Sequence, residues 1–240
     1  MRRMLVVALI LITTVVGAYK WNFPTASYRY RLTIAVESGG QVHSGSSVIQ
    51  VWYRFNPPWF AALAGGSQFD VRVTGQAVLV DLGSNGAVIA ALHSGTGSGH
   101  LGVNADALAG RAFLSFPANA SGFPVTLKNV QLVSQKQGPV NLASNNLPPF
   151  IWFPSITNAN NAQLVSPRDF EGVIGNKVQL TRAQLTITND PVVLDLNKHV
   201  PWLANLATTN GAVTVKVNGD LNFHRVLVGY NAFMNEGSAR

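Results

Sequence analysis

The sequence predicts a mainly β protein, with antiparallel sheets arranged as a sandwich or barrel, one or two short helices, and an apolar helix in front. Three observations predict it. From Tyr28 to Glu37 apolar and polar residues alternate with a period of two, the pattern of a strand with one wet face. Charged residues make up 11% of the chain, against ~25% in ordinary globular proteins. Gly, Ser, Thr and Asn fill the polar positions instead, residues that suit pleated strands and their turns. Finally, Gly-Gly and Asn-Gly pairs recur between the apolar runs, the usual punctuation of hairpins.

The elements follow in order. Arg2 and Arg3 precede Met4 to Tyr19, a run without a charge that ends at Lys20. Basic residues resist translocation and apolar ones enter the bilayer, so the pattern is an export signal that places the rest of the chain outside the cytoplasm. A continuous helix is expected from about Leu5 to Ala18, with few contacts to the domain. Retained, it anchors the protein, with Lys20 snorkelling beside Tyr19 and Trp21 at the interface. The rival is cleavage near Ala18, where Val16-Gly17-Ala18 offers the small residues a signal peptidase reads. The chain has no cysteine, so a lipid-modified mature terminus, disulfides and thiolate metal sites are all excluded.

Residues 24–240 form the β-rich domain behind a leader of residues 1–23. Tyr28–Glu37 puts Tyr28, Tyr30, Leu32, Ile34 and Val36 on one face. Ser38-Gly39-Gly40 turns the chain, and Ser47–Phe55 returns beside it. Val71–Leu82 and Ala87–Leu92 form a second hairpin through Gly83-Ser84-Asn85-Gly86, with Asn-Gly taking the positive φ values of a tight turn. Val213–Val217, Asn218-Gly219 and Leu221 onward make a third. Gln179–Thr188 is a further strand with Leu185 and Ile187 inward. Asn104–Ala109 fits one or two helical turns. Ser166-Pro167-Arg168-Asp169-Phe170 starts a short helix that Gly175 stops. Between Gln137 and Asn161 the chain is rich in Asn and Pro, a long connection around one apolar strand, Phe150–Phe153. A sub-domain boundary near 135–148 is compatible with that stretch and not required by it.

Tyr28 to Val51, with its Tyr-Arg-Tyr-Arg-Leu-Thr opening and its Gly45-Ser46-Ser47-Val48-Ile49-Gln50-Val51 return, resembles a family of uncharacterised bacterial proteins that carry an N-terminal membrane segment. Ser166 to Phe170, Leu180-Thr181-Arg182, Ile187 to Val192 and Pro201-Trp202-Leu203 are similar to the same family's C-terminal half. That resemblance implies an anchor and one architecture over most of the chain. It implies no activity and no functional residue.

His93-Ser94-Gly95-Thr96-Gly97-Ser98-Gly99-His100 follows the strand bearing Asp81 and comes before Asp106. This Asp81–His100 region supports a hydrolase or carbohydrate-active reading only if Asp81, His93, His100 and Asp106 converge in a pocket. Ser98 lacks the Gly-x-Ser-x-Gly spacing of a nucleophile elbow, and the plainer reading is a glycine-rich surface loop. His43, His199 and His224 stand alone in the sequence. There is no phosphate loop, dinucleotide fingerprint or His-Glu-x-x-His, so no cofactor and no metal are expected. The net charge of +7, two units of it from Arg2 and Arg3, is scattered rather than striped, which argues against nucleic acid.

The last feature is apolar. Trp52 to Phe60 and Leu147 to Pro154 each join a Pro-Pro pair to bulky aromatics. Proline interrupts a ladder, so part of each segment is loop or sheet edge. Trp59 and Phe60 are the candidate partner-binding residues. If exposed they dock a partner or the bilayer surface; if folded back they are lids over the core, which is the expectation of the two. The functional expectation is an exported or inner-membrane-anchored envelope protein with a periplasmic domain. Its role is structural or binding rather than enzymatic, its partners are the membrane and an envelope protein or glycan, and the alternative is the extracytoplasmic hydrolase.

Overall fold

The period-two pattern of the sequence becomes the central hairpin of the fold. The computed structural model describes residues 2–64, 66–93, 102–114, 123–175, 177–209, 212–217 and 225–236. In it α1 (Arg2–Asn22) leads into β1 (Thr25–Ser38), which turns at Gly39 and Gly40 and returns as β2 (Gln41–Phe55). Both glycines take positive φ, 59° and 81°. The strands pair antiparallel throughout, from Thr25 opposite Arg54 to Ser38 opposite Gln41. Tyr28, Tyr30, Leu32, Ile34 and Val36 are all buried, as the alternation requires. A slip of one residue would bring Arg29, Arg31 and Glu37 inward instead.

α2 (Pro58–Ala64) joins β2 to β3 (Phe69–Gln76), and β4 (Val78–Asp81) follows directly. The single strand expected over Val71–Leu82 is therefore two. β3 pairs with β2, whereas β4 enters a second sheet and pairs with β5 (Ala87–Ala90). At the corner the buried Ala77 gives its amide to the Phe233 carbonyl (2.7 Å), which holds the bend between the sheets. The turn of the β4–β5 hairpin also departs from expectation. Positive φ falls on Gly83 and Gly86 (63° and 81°), and Asn85 lies inside a 3-10 turn between them.

Next come α3 (Ala105–Phe113), α4 (Leu127–Ser134), β6 (Pro139–Asn141), β7 (Phe150–Phe153), β8 (Gln163–Val165) and α5 (Phe170–Ile174). α3 continues past the expected Ala109. α5 begins later than Pro167, because Ser166 holds a turn: its carbonyl accepts from the Asp169 amide at 2.9 Å. Gly175 then ends it. β9 (Val178–Ile187) has Leu185 buried and Ile187 partly so. α6 (Leu196–His199), α7 (Trp202–Thr209), β10 (Ala212–Val217), β11 (Arg225–Gly229) and β12 (Met234–Glu236) complete the chain. β10 and β11 form the third expected hairpin; its Asn218-Gly219 turn and Leu221 lie outside the described residues.

One sheet has the order β12-β3-β2-β1-β9-β6 and the other β11-β10-β8-β7-β5-β4. Pairing is antiparallel except between β8 and β10, which run parallel. The expectation of mainly antiparallel sheets stands with this one exception, and the reason for it is the long crossover through α5, β9, α6 and α7, which lets the chain re-enter in the same sense. Six short helices besides α1, among the described residues, replace the expected one or two. The second sheet is covered on both faces. Val78, Val80, Val88 and Phe150 face the first sheet, while Ile89, Ile151, Phe153 and Val215 pack under Leu196 and Leu203 of α6 and α7. Burial on both sides explains why β5 and β7 are continuous apolar runs and β1 is not.

α1 is the helix the leader predicted, longer at both ends. Ile10, Leu11, Ile12, Val15 and Val16 are 47–66% exposed, so Val15 is not packed into the core; the side chain of Leu9 lies outside the described residues. Thr13 and Thr14 bond back to the Ile10 carbonyl, at 2.9 and 2.8 Å. Among the described residues no helix is long and apolar enough to cross a membrane. This corrects the expectation of an anchor that spans unaided. The uncharged run Met4 to Tyr19 is itself shorter than the ~20 residues a span needs.

Candidate functional site

Two surfaces contain Trp59 and Phe60, and His93 and Asp106, of the residues singled out by the sequence. The first is aromatic and sits where α1 meets the first sheet. The Phe55 amide bonds the Pro24 carbonyl (2.9 Å), so the end of β2 lies beside the exit of α1. α2 hangs from that end. Phe23 stacks on Tyr19 with centroids 4.9 Å apart, and meets Phe60 and Trp59 edge-on at 5.3 and 6.3 Å. Trp59 and Phe60 touch each other edge-on as well. They are not lids: Trp59 is 55% exposed and Phe60 37%. Leu63, which the sequence reading missed, is 82% exposed beside them. Its signal was available, since Pro58 to Ala64 contains no polar side chain.

The second surface is an open polar groove of about 730 Å³ along β3. Its described lining includes Arg54, Asp70, Arg72, His93, Asn104, Asp106, Asn231 and Asn235. Three buried tyrosines bring Asp106 there. Tyr28 and Tyr53 donate to the Asp106 carbonyl, at 3.0 and 2.7 Å, and Tyr30 donates to the Ala105 carbonyl at 2.8 Å. These bonds from β1 and β2 pin the first turn of α3. Burial raises all three phenols well above their usual range, which keeps them protonated donors. Arg54 pairs with Asp70 at the rim, and Arg72 lies 5.2 Å from the Trp52 ring.

His93 and Asp106 therefore share one groove. Asp81 does not line it; its carboxylate accepts the Gly83 amide (2.9 Å) and shapes the β4–β5 turn. His100, with Ser94 and Ser98, lies outside the described residues, as does His224. His43 on β2 and His199 at the end of α6 are not in the described groove lining. Asp190 takes the Thr188 hydroxyl and Arg31, a turn role. Among the described residues no three His, Cys, Asp or Glu side chains group as metal ligands. No family model, no curated protein and no solved structure matches this chain.

Burial lowers the pKa of His93 below its ordinary 6.5, and the Asp106 charge opposes that shift only in part. The unfolded chain thus binds the proton more readily than the folded one. Stability from this group is intact above ~6.5 and declines as pH falls from there toward the lowered folded value. Thermal melts from pH 7.5 to 5 are expected to show that decline. His93→Gln should flatten the part due to this side chain. Equal slopes for both proteins would remove His93 as the cause.

Proposed function

We propose that this protein is an exported envelope protein, held at the membrane through α1, whose β domain has a non-catalytic structural or binding role on the periplasmic side. The observation that carries the reading is the outward display of apolar side chains along α1, Ile10 to Val16, behind the Arg2-Arg3 pair. Such a helix lacks a polar face to give to water, and hydrocarbon is the solvent that suits it. The likeness to bacterial proteins with an N-terminal membrane segment belongs to the same proposal.

The test is fractionation of expressing cells. The protein is expected to stay with the membrane pellet at alkaline pH, to be digested by protease only when the outer face is opened, and to retain Met1 to Ala18 by mass. A soluble periplasmic product starting near Tyr19 would replace the tether with cleavage. A protected cytoplasmic product would overturn export.

A second reading has one observation in its favour: His93, kept neutral by its surroundings, shares the polar groove with Asp106. That pair is the start of acid–base chemistry. The groove is open to water rather than enclosed, and the binding reading takes precedence.

A further inference from the structure

At the end of the first sheet where α1 departs, a second apolar element lies exposed, and tethering by α1 does not by itself account for it. α2 is seven residues without a single polar side chain. A helix lying on a water-facing surface normally keeps a polar face outward. Here Trp59 and Leu63 point out, and Trp21, in the last turn of α1, is 88% exposed. Phe23 links the two helices through its edge-on contacts with Trp59 and Phe60. Exposed apolar side chains therefore lie on both helices, joined at the corner through Phe23.

We infer that α2, together with Trp21, is a membrane foot that lies in the headgroup region of the bilayer holding α1. The inference rests on the tether reading above. Its occupant is the outer-facing leaflet, for three reasons. The patch begins at the outer end of α1, where a bilayer surface must lie if that helix is inserted. Its chemistry is that of the interface: the exposed rings of Tyr19, Trp21 and Trp59 beside the exposed Lys20. The uncharged run of α1 is also short for the hydrocarbon, and a short segment is held in place by anchoring residues at its flank. A second apolar element lying flat at that flank supplies such anchoring, as interfacial helices do. The foot then fixes the tilt of the β domain, which a single flexible tether would leave free.

The absence of cysteine allows single nitroxide labels. Leu63→Cys, Ile12→Cys and Val42→Cys are each placed in the full chain and reconstituted into vesicles of phosphatidylcholine and phosphatidylglycerol. All three native side chains are more than half exposed, so the fold tolerates the changes. Val42 lies next to the β1–β2 turn, at the far end of the hairpin from α2. Labels at 63 and 12 are expected to meet dissolved oxygen more readily than a water-soluble nickel complex, and the label at 42 to show the inverse. Position 12 in lipid with position 63 in water overturns the foot and leaves the tether standing. Position 12 in water overturns the tether, and the foot with it. A label at 63 shielded from both reagents, with spin–spin broadening, would mean that a second copy covers the patch, and overturns the bilayer as its occupant.

Discussion

Gly45→Ala is expected to destabilise the domain by about 3 kcal/mol, the upper end for overpacking, lowering the melting temperature by roughly 10 °C for a chain of this size. Gly45 lies in β2, opposite Ile34 of β1. A β-carbon there would run into the Leu79 carbonyl of β4, with the Val78 side chain close behind. The obstruction is backbone from the other sheet, which cannot swing aside as the end of a side chain can. The two sheets would have to separate at the place where β2 crosses β4. Gly40→Ala is the control. Open space surrounds that position, so only the cost of its left-handed φ remains, about 1 kcal/mol. Equal losses at the two positions would mean that β2 and β4 do not press together as described.

The same residue shows where sequence reasoning stops. The β1–β2 hairpin was legible because one face is wet, so alternation reports the strand, its face and its register together. β5 and β7 were legible as buried runs from their length and their flanking turns. Nothing local says that Gly45 must pass over a carbonyl some thirty residues on, or that the chain changes sheet at Ala77 inside what reads as one strand. The parallel pairing of β8 with β10 is equally non-local. α4 was overlooked for a different reason. It buries only Val130 and Val133, too few positions to set a helical period, although Thr126 caps it by accepting from the Asn129 amide. In the candidate site, Trp59, Phe60, His93 and Asp106 were named from residue type alone. Asp106 reaches His93 because three tyrosine hydroxyls on β1 and β2 hold α3 in place, a cause that lies in the tertiary structure. Asp81 was named with them and stays at its turn, since β4 points its end elsewhere.

Replacing Trp59 and Phe60 together by serine is expected to abolish complementation in a strain lacking this protein, whereas replacing His93 and His100 together by alanine is expected to preserve it. The argument is one of magnitudes. An exposed aromatic anchor carries ~2 kcal/mol or more of an interaction, roughly 30-fold in affinity for each ring. The same rings do little for folding. With Trp59 more than half exposed, the double change gives up the edge-on contacts with Phe23, worth about 0.5–1.5 kcal/mol per pair, and leaves both core clusters untouched. A melt decides between the two uses of the rings: a small shift with lost complementation assigns them to a surface, and a large shift returns them to a structural role. The histidine variants answer the other question. If they fold normally and still fail to complement, the groove shared by His93 and Asp106 carries the activity, and the hydrolase reading displaces the binding one.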